Sequence, residues 1–243
     1  MGVGSWLSFR FGRMLVKDER IYLYASAVVV GGLIAARLGH IADNTGYYAA
    51  RPDQLVAFWN GGIAVTAAPI GSAIGGWLAC RGLRLPLGFM FDITVIGIAL
   101  GEAIGRLGDI VNGEHHAAAC AGLPWCVRYT SPLTLGQQES VHPIAAYDLL
   151  IVLGIFTFCF LLWRRIRGHP PEGRVFWTYL VLYGAARFVT SFLRLDPVLF
   201  AGLQEGQLLG LLYLAVGIPA LIRLGSAGAA GPGRPTTITT TMR

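Results

Sequence analysis

Charge is what this sequence has least of. Asp, Glu, Lys and Arg make up 13% of its 243 residues, where ordinary soluble domains carry roughly 25%. The sixteen residues from Phe89 to Ile104 hold only two charges, Asp92 and Glu102. Such poverty of charge argues against a water-soluble enzyme, and 54% hydrophobic residues with a mean hydropathy of +0.58 place the chain in a bilayer. Cysteine is scarce as well, with four in all and no C-x-x-C pair or metal-ligand spacing. His115 and His116 are adjacent and cannot share a helix face, so no metal site is expected. The first twenty residues lack the apolar core and small-residue cleavage site of a signal peptide, so insertion is expected through the first span itself. No internal repeat argues for inverted halves.

What is abundant is the long apolar run. Six occur, near residues 21–41, 56–79, 88–111, 143–163, 175–193 and 206–223, each about the 20 residues a bilayer needs. The expected fold is all-α, a polytopic membrane helical bundle with six transmembrane helices. It divides into a basic cytoplasmic segment 1–20, a transmembrane domain 21–224 and a disordered cytoplasmic tail 225–243 rich in Gly, Ala, Pro and Thr. Basic residues alternate between connectors. Arg10, Arg13, Lys17 and Arg20 precede the first run, Arg81 and Arg84 follow the second, Arg164, Arg165, Arg167 and Arg174 follow the fourth, and Arg223, Arg234 and Arg243 follow the sixth. The opposite connectors hold Arg51, Arg128 and Arg194. Positive charge gathers on the cytoplasmic side, so both termini are expected there and the loop 112–141 outside. The net +6 then serves topology and anionic headgroups and requires no nucleic acid. Gly97, Gly101 and Gly105 recur at four-residue intervals, a spacing that lets membrane helices approach closely.

Three arginines, Arg37, Arg106 and Arg187, fall inside spans, where each costs about 2.5–3.5 kcal/mol unless it has a partner, an interface or a task. Glu102, Arg106, Asp109 and Gly113 share one helical face of the third span, alternating acid, base, acid. In the fifth, Tyr183, Arg187, Ser191 and Arg194 share another, with no acid on it. Arg187 therefore either pairs across to Glu102 or Asp109 or receives an anion from outside. Two guanidiniums on separate helices suit a phosphate, and in a bilayer the abundant phosphate is a lipid headgroup. The fourth span opens "VHPIAAYDLL", with Pro143 at a first helical position, His142 beside it, and Tyr147 and Asp148 about a turn inside. Cys80 and Cys159 lie in spans and Cys120 and Cys126 in the loop; a loop disulfide and two reduced thiols are both open.

These blocks resemble the prolipoprotein diacylglyceryl transferase family. "GRLGDIVNGE" is similar to G-R-x-G-N-F-x-N-G-E, "VHPIAAYD" to H-P-x-x-x-Y-E, "LYGAARFVTSFLR" to Y-G-x-x-R-x-x-x-E-x-x-R, "IAARLGH" to G-A-R-x-x-Y and "FWNGGIAV" to W-x-G-G-x-x, across roughly residues 17–224. The resemblance implies transfer of a diacylglyceryl group from phosphatidylglycerol to the lipobox cysteine thiol of a prolipoprotein in the bacterial inner membrane, without cofactor. It implies Arg106, Glu114, Tyr183 and Arg187 as the catalytic group. Arg106, Asp109, Asn112, Gly113, His142, Tyr147, Asp148 and Arg194 would be substrate-binding positions. A base is required for the thiol, and Glu114, His115 and His142 are the candidates. The sequence departs from the family in four places. A seventh, N-terminal span is not seen, and its helix is expected upstream of the stated start. Thr66-Ala67-Ala68 stands where many members have H-G-G; Asp109 replaces Asn; Ser191 replaces Glu. Two other readings are an inactive relative that binds phospholipid or prelipoprotein, and an anion or lipid transporter.

Overall fold

The structure is a computed structural model and describes residues 19–64, 67–167, 169 and 171–229. Most of the expected basic segment, Thr66 and the tail beyond residue 229 lie outside the described residues. In chain order the elements are α1 (Arg20–Asp43), α2 (Thr45–Ala50), two 3-10 turns (Pro52–Val56 and Phe58–Asn60), α3 (Ala68–Leu83), α4 (Leu87–Asn112) and α5 (Ile144–Ile166). Then come α6 (Arg174–Thr190), which runs on as a 3-10 turn (Ser191–Leu193), the antiparallel ribbon β1 (Val198–Phe200) and β2 (Leu203–Gln204), and α7 (Glu205–Ala229). The chain is thus mostly helical. Among the described residues five helices are long and apolar enough to cross a membrane: α1, α4, α5, α6 with its turn, and α7.

The second apolar run does not form the expected continuous span. Helix starts only at Ala68, with Pro69 in its first turn, and lasts 16 residues. Upstream, Pro52 opens the first 3-10 turn. Gly61 and Gly62 follow at φ +81° and +78°, a left-handed backbone that no regular helix continues through. The tail expectation changes too, because Gly225–Ala229 are the last turn of α7 rather than disordered. The short ribbon had no signal in the sequence.

Two compact units divide within α4, between Phe91 and Asp92. In the first, α1 and α3 meet backbone to backbone. A Cβ added at Gly31 would come within 3.2 Å of the Gly75 Cα, so only glycine permits the approach. Arg37, almost wholly buried, answers its own placement in a span. Its guanidinium donates to the carbonyls of Leu55 (3.2 Å), Gly61 (2.5 Å), Gly62 (2.7 Å), Ala57 (3.3 Å) and Gln54, closing the 54–62 segment around itself. The carbonyls of Gly61 and Gly62, which lie outside the 3-10 turns, thereby gain a donor.

In the second unit α6 and α7 pack closely where Gly184 faces Gly210; a Cβ on Gly184 would sit 2.9 Å from the Gly210 carbonyl oxygen. The expected glycine seam at Gly97, Gly101 and Gly105 does not serve this purpose at Gly105, which faces open space. Asp92, one of the two charges in the apolar run, accepts the backbone N–H groups of Gly173 and Phe176, both at 2.8 Å. It caps the start of α6, where a carboxylate suits the free N–H groups and the positive end of the helix dipole. Residues 113–143 form an ordered head. A Cys120–Cys126 disulfide, single bridges of Ala119 and Val127 to Val141 and an Ala117–Arg194 bridge tie it together and to the end of α6. Ala117 and Val141, packed with Ile144 at the start of α5, are its buried core.

Candidate active site

The acid-base-acid face of α4 is assembled as the spacing predicts. Arg106 donates through Nη2 to Glu102 Oε1 at 3.1 Å and through Nη1 to Asp109 Oδ2 at 2.8 Å. Helix α5 adds Asp148, whose Oδ2 lies 3.8 Å from Arg106 and accepts from Arg194 at the end of α6. Helix α6 adds Tyr183, which donates to Glu102 Oε1 at 2.8 Å, and Arg187. Six expected residues, Arg106, Asp109, Asp148, Tyr183, Arg187 and Arg194, therefore meet in one place. Glu102 joins them. It lay on the predicted face but matched no motif, and it holds both Arg106 and Tyr183 in position.

Arg187 pairs with neither Glu102 nor Asp109. Its nearest acid is Asp148, at 4.0 Å, and its buried Nη1 has no hydrogen-bond partner among the described residues. The same holds for the buried Nε atoms of Arg106 and Arg194. Arg106 and Arg187, with the acids Glu102 and Asp148, border a small cleft lined further by Ile151, Val152, Ala186, Tyr183 and Thr190, and Arg194 lies behind Asp148. Buried donors are nearly always satisfied, so the two orphaned N–H groups of arginines bordering one cleft describe a receptor for an anion with more than one oxygen.

The close seating of Arg187 depends on a residue with no signal in the sequence. A Cβ on Gly206 would lie 3.3 Å from Arg187 Nε and collide with Ser191 Oγ. Ser191 is fully buried, its hydroxyl returned to the Arg187 carbonyl at 2.7 Å. A glutamate there would have no room against α7.

The remaining expected positions gather beside this cleft. Gly113, Glu114, His115, His142 and Tyr129 line a second cavity under the head. Tyr147 accepts from Trp125 Nε1 at 2.8 Å, which leaves its own proton for His142 Nδ1 at 3.2 Å. Trp125 is half exposed, as an interfacial anchor would be, whereas Tyr129 turns inward and donates to the Ile110 carbonyl at 2.8 Å. Gly113 ends α4 at φ +72°, where a Cβ would lie 2.7 Å from the Gly136 nitrogen. Asn112 and Glu114 stay at the rim, joined by a 3.2 Å hydrogen bond.

His115 links the two cavities. Its Nε2 accepts from Arg106 Nη1 at 3.1 Å and lies 3.3 Å from Asp109 Oδ2. Burial and the Arg194 and Arg106 guanidiniums hold its pKa below the ordinary histidine value, against the opposing pull of Asp109. Asp109, Glu114 and His115 place their ligand atoms within 4.8 Å of one another, yet the positive charge against Asp109 is already the Arg106 guanidinium.

The chain is similar over most of its length to proteins of one known family. Residues 1–223 match the family described as prolipoprotein diacylglyceryl transferase, so the similarity reaches further toward the N-terminus than the motif blocks indicate. A phosphatidylglycerol–prolipoprotein diacylglyceryl transferase of Dehalococcoides mccartyi is 32% identical over 224 residues, covering 90% of this chain and 82% of that protein. The like-named proteins of Thermosynechococcus vestitus (32% over 226 residues, 91% and 84% covered) and Clostridioides difficile (31% over 212 residues, 87% and 81% covered) are similar to the same extent.

Proposed function

The chain belongs to the prolipoprotein diacylglyceryl transferase family, and on that premise we propose that it moves the diacylglyceryl group of phosphatidylglycerol onto the lipobox cysteine thiol of a prolipoprotein, releasing glycerol phosphate. The observation that carries the reading at this site is the pair of buried donors without a hydrogen-bond partner among the described residues, Arg106 Nε and Arg187 Nη1, on the two arginines that border the cleft. A phosphodiester offers them the oxygens they lack. As the C–O bond breaks, the phosphate gains charge, and guanidiniums already in place stabilise it more strongly in a water-poor cleft than in water. Glu102 holds Arg106 at the cleft, and Asp148 is itself fixed by Arg194 behind it. Asp109, which a phosphate site should not welcome, is neutralised by Arg106 at 2.8 Å. Glu114, Asn112 and the His142–Tyr147 pair line the approach on the head side and suit the polar glycerol of the headgroup and the incoming peptide.

The proposed setting is a bacterial inner membrane with both termini cytoplasmic and the 112–141 head outside, as the alternation of basic connectors favours. In that arrangement α3 is a short sixth span, about 24 Å long at 1.5 Å per residue. It returns along α1 through the glycine contact between them. The apolar side chains exposed on α1 and α5, such as Leu23, Val30, Leu38, Leu150 and Leu161, would face acyl chains.

The test is release of glycerol phosphate from phosphatidylglycerol that depends on a lipobox peptide, with the chain in liposomes. Release well above an Arg106→Ala control supports the reading. Headgroup binding without release would favour a lipid-binding relative instead.

A further inference from the structure

The reading above leaves the thiol without a base, and the position of His115 supplies one. We infer that His115 takes the proton from the attacking thiol and that Asp109 is its positioning partner, the two acting as a carboxylate–imidazole pair whose lone pair Arg106 covers until a phosphate arrives. This rests on the transferase reading and names the acid-base machinery of that same site.

Three observations carry it. The first is connectivity: a single Arg106 Nη1 donates to both Asp109 Oδ2, at 2.8 Å, and His115 Nε2, at 3.1 Å, while those two acceptors are 3.3 Å apart. A guanidinium only donates, so the imidazole Nε2 it meets is an acceptor and the ring is neutral. Once the Nη1 hydrogen that meets His115 turns to a phosphate oxygen, with the other kept on Asp109 Oδ2, that nitrogen is free to take a proton. The imidazolium then has Asp109 Oδ2 within reach to receive its new N–H.

The second is backbone strain. His115 sits at φ +71°, a left-handed conformation that costs a residue with a Cβ and persists only where the surroundings impose it. Gly113, two residues earlier, is also left-handed, and together they turn the chain sharply off the end of α4. That turn brings the His115 ring back over Arg106 and Asp109; an ordinary helix end would carry it away. The third is placement. His115 lines the cavity under the head and touches the arginine of the anion cleft, so it stands between the two places where thiol and phosphate must meet.

The groups facing the ring are Arg106 and Asp109 from α4, Glu114 beside it, and Arg187 and Arg194 from α6 and its end. The surplus of arginine favours a neutral ring, which is the form a base needs. The step balances. The thiol S–H proton goes to His115 Nε2, the S–C bond forms at the glyceryl carbon, and the C–O bond to phosphate breaks with its electron pair on the phosphate oxygen. The proton passes from His115 to the departing phosphate monoester or to water.

The experiment is the pH dependence of glycerol phosphate release by the full chain in liposomes, for the wild type, His115→Asn and Asp109→Asn. Asparagine tolerates the left-handed backbone, so the first variant keeps the turn and loses only the base. Expected are a wild-type rate that rises with pH through one ionisation, and a His115→Asn rate lower by about 100-fold. The acid limb should be gone, and added imidazole should restore rate in proportion to its free base. Asp109→Asn should move the limb to lower pH, because the imidazolium loses its carboxylate. A His115→Asn chain that keeps a third of the wild-type rate, or whose lost rate imidazole does not restore, overturns the assignment. A wild-type chain that releases nothing would defeat the transferase reading instead. The pair is then judged by NMR titration of the His115 ring, where an Asp109→Asn midpoint equal to wild type overturns it and a lowered one supports it.

Discussion

Arg187 holds its Nη1 4.0 Å from Asp148 Oδ2, beyond hydrogen-bond reach, because Arg194 already occupies that oxygen. One carboxylate is thus set against three guanidiniums, Arg194, Arg106 at 3.8 Å and Arg187, and Arg187 is the farthest of them and pairs with no other acid among the described residues. A cation kept in this way contributes little to the fold and is available to a ligand.

Replacing Arg187 should therefore separate activity from stability. Arg187→Ala should lower kcat/KM for the lipobox peptide by about 100-fold or more, the scale for losing a donor aimed at developing charge. It should change unfolding stability in detergent by no more than about 1 kcal/mol, since no buried pair is broken. Lysine at this position keeps the charge without the planar fork and should recover only part of the rate. A full loss of folded protein in Arg187→Ala would contradict the placement.

Asp148→Asn should behave in the opposite sense. The Arg194 side chain is 1% exposed and Asp148 is its carboxylate, so the substitution strands a buried cation. Breaking a buried pair from one side costs about 3–5 kcal/mol. Thermal melting in detergent should show this loss in full even without substrate, while Asp148→Asn paired with Arg194→Met should recover part of it. Equal melting of wild type and Asp148→Asn would contradict the role given to the pair.

Periodicity carried much of this arrangement. The i, i+4, i+7 spacing of Glu102, Arg106 and Asp109 fixed their common face, and the same count put Tyr183 and Arg187 together, because helical geometry is local. Arg194 instead joins them from extended backbone beyond the 3-10 turn, off the helix that the count assumed. Partner choice was not local. Nothing in the chain tells Arg187 that Tyr183 and Arg106 will occupy Glu102, or that Arg194 will take Asp148, since these depend on how α4, α5 and α6 pack. Gly206 shows the same limit, as its need arises only from Ser191 and Arg187 lying opposite. The run 56–79 misled because hydropathy sums ignore backbone angle, and Gly61 and Gly62 break the helix without lowering the count of apolar residues.

Arg37 offers a test of that broken segment. It donates to carbonyls between residues 54 and 62; those of Gln54 and Ala57 also accept a backbone N–H within the 3-10 turns, whereas Gly61 and Gly62 lie outside any helix or strand. Arg37→Met keeps the apolar bulk and removes every one of these bonds. Each carbonyl left buried and unpaired costs about 1–3 kcal/mol, so the segment should open locally. Limited proteolysis in detergent should find a new cleavage between residues 52 and 64 in the variant, and an unchanged pattern would show that the segment holds itself.

The Cys120–Cys126 bridge closes a short loop in the head, with a sequence separation of six. A loop of that size restricts the unfolded chain by about 2 kcal/mol. The bridge lies beside the Ala119 and Val127 pairings to Val141, next to His142 of the second cavity. Reduction, or Cys120→Ser with Cys126→Ser, should lower the melting temperature and raise the peptide KM several-fold while leaving phosphatidylglycerol binding nearly as it was. A KM insensitive to reductant would detach the head from peptide recognition.

His115 finally predicts how stability follows pH. Burial, then Arg194 and Arg106, with Arg187 adding, holds its folded-state pKa below the ordinary 6.5, and Asp109 opposes them. In the unfolded chain these neighbours are gone and the ring returns to about 6.5. Above that value both states are neutral and stability is at its full level. As pH falls through it, the unfolded chain binds the proton first, so unfolding gains and stability declines. The decline ends at the lowered folded-state midpoint, below which both states are protonated. Urea unfolding in detergent should therefore show a loss that begins near pH 6.5 on acidification and is smaller in His115→Asn. Parallel curves for the two proteins would mean that His115 is solvated as it would be in the open chain, and that the arginines do not reach it.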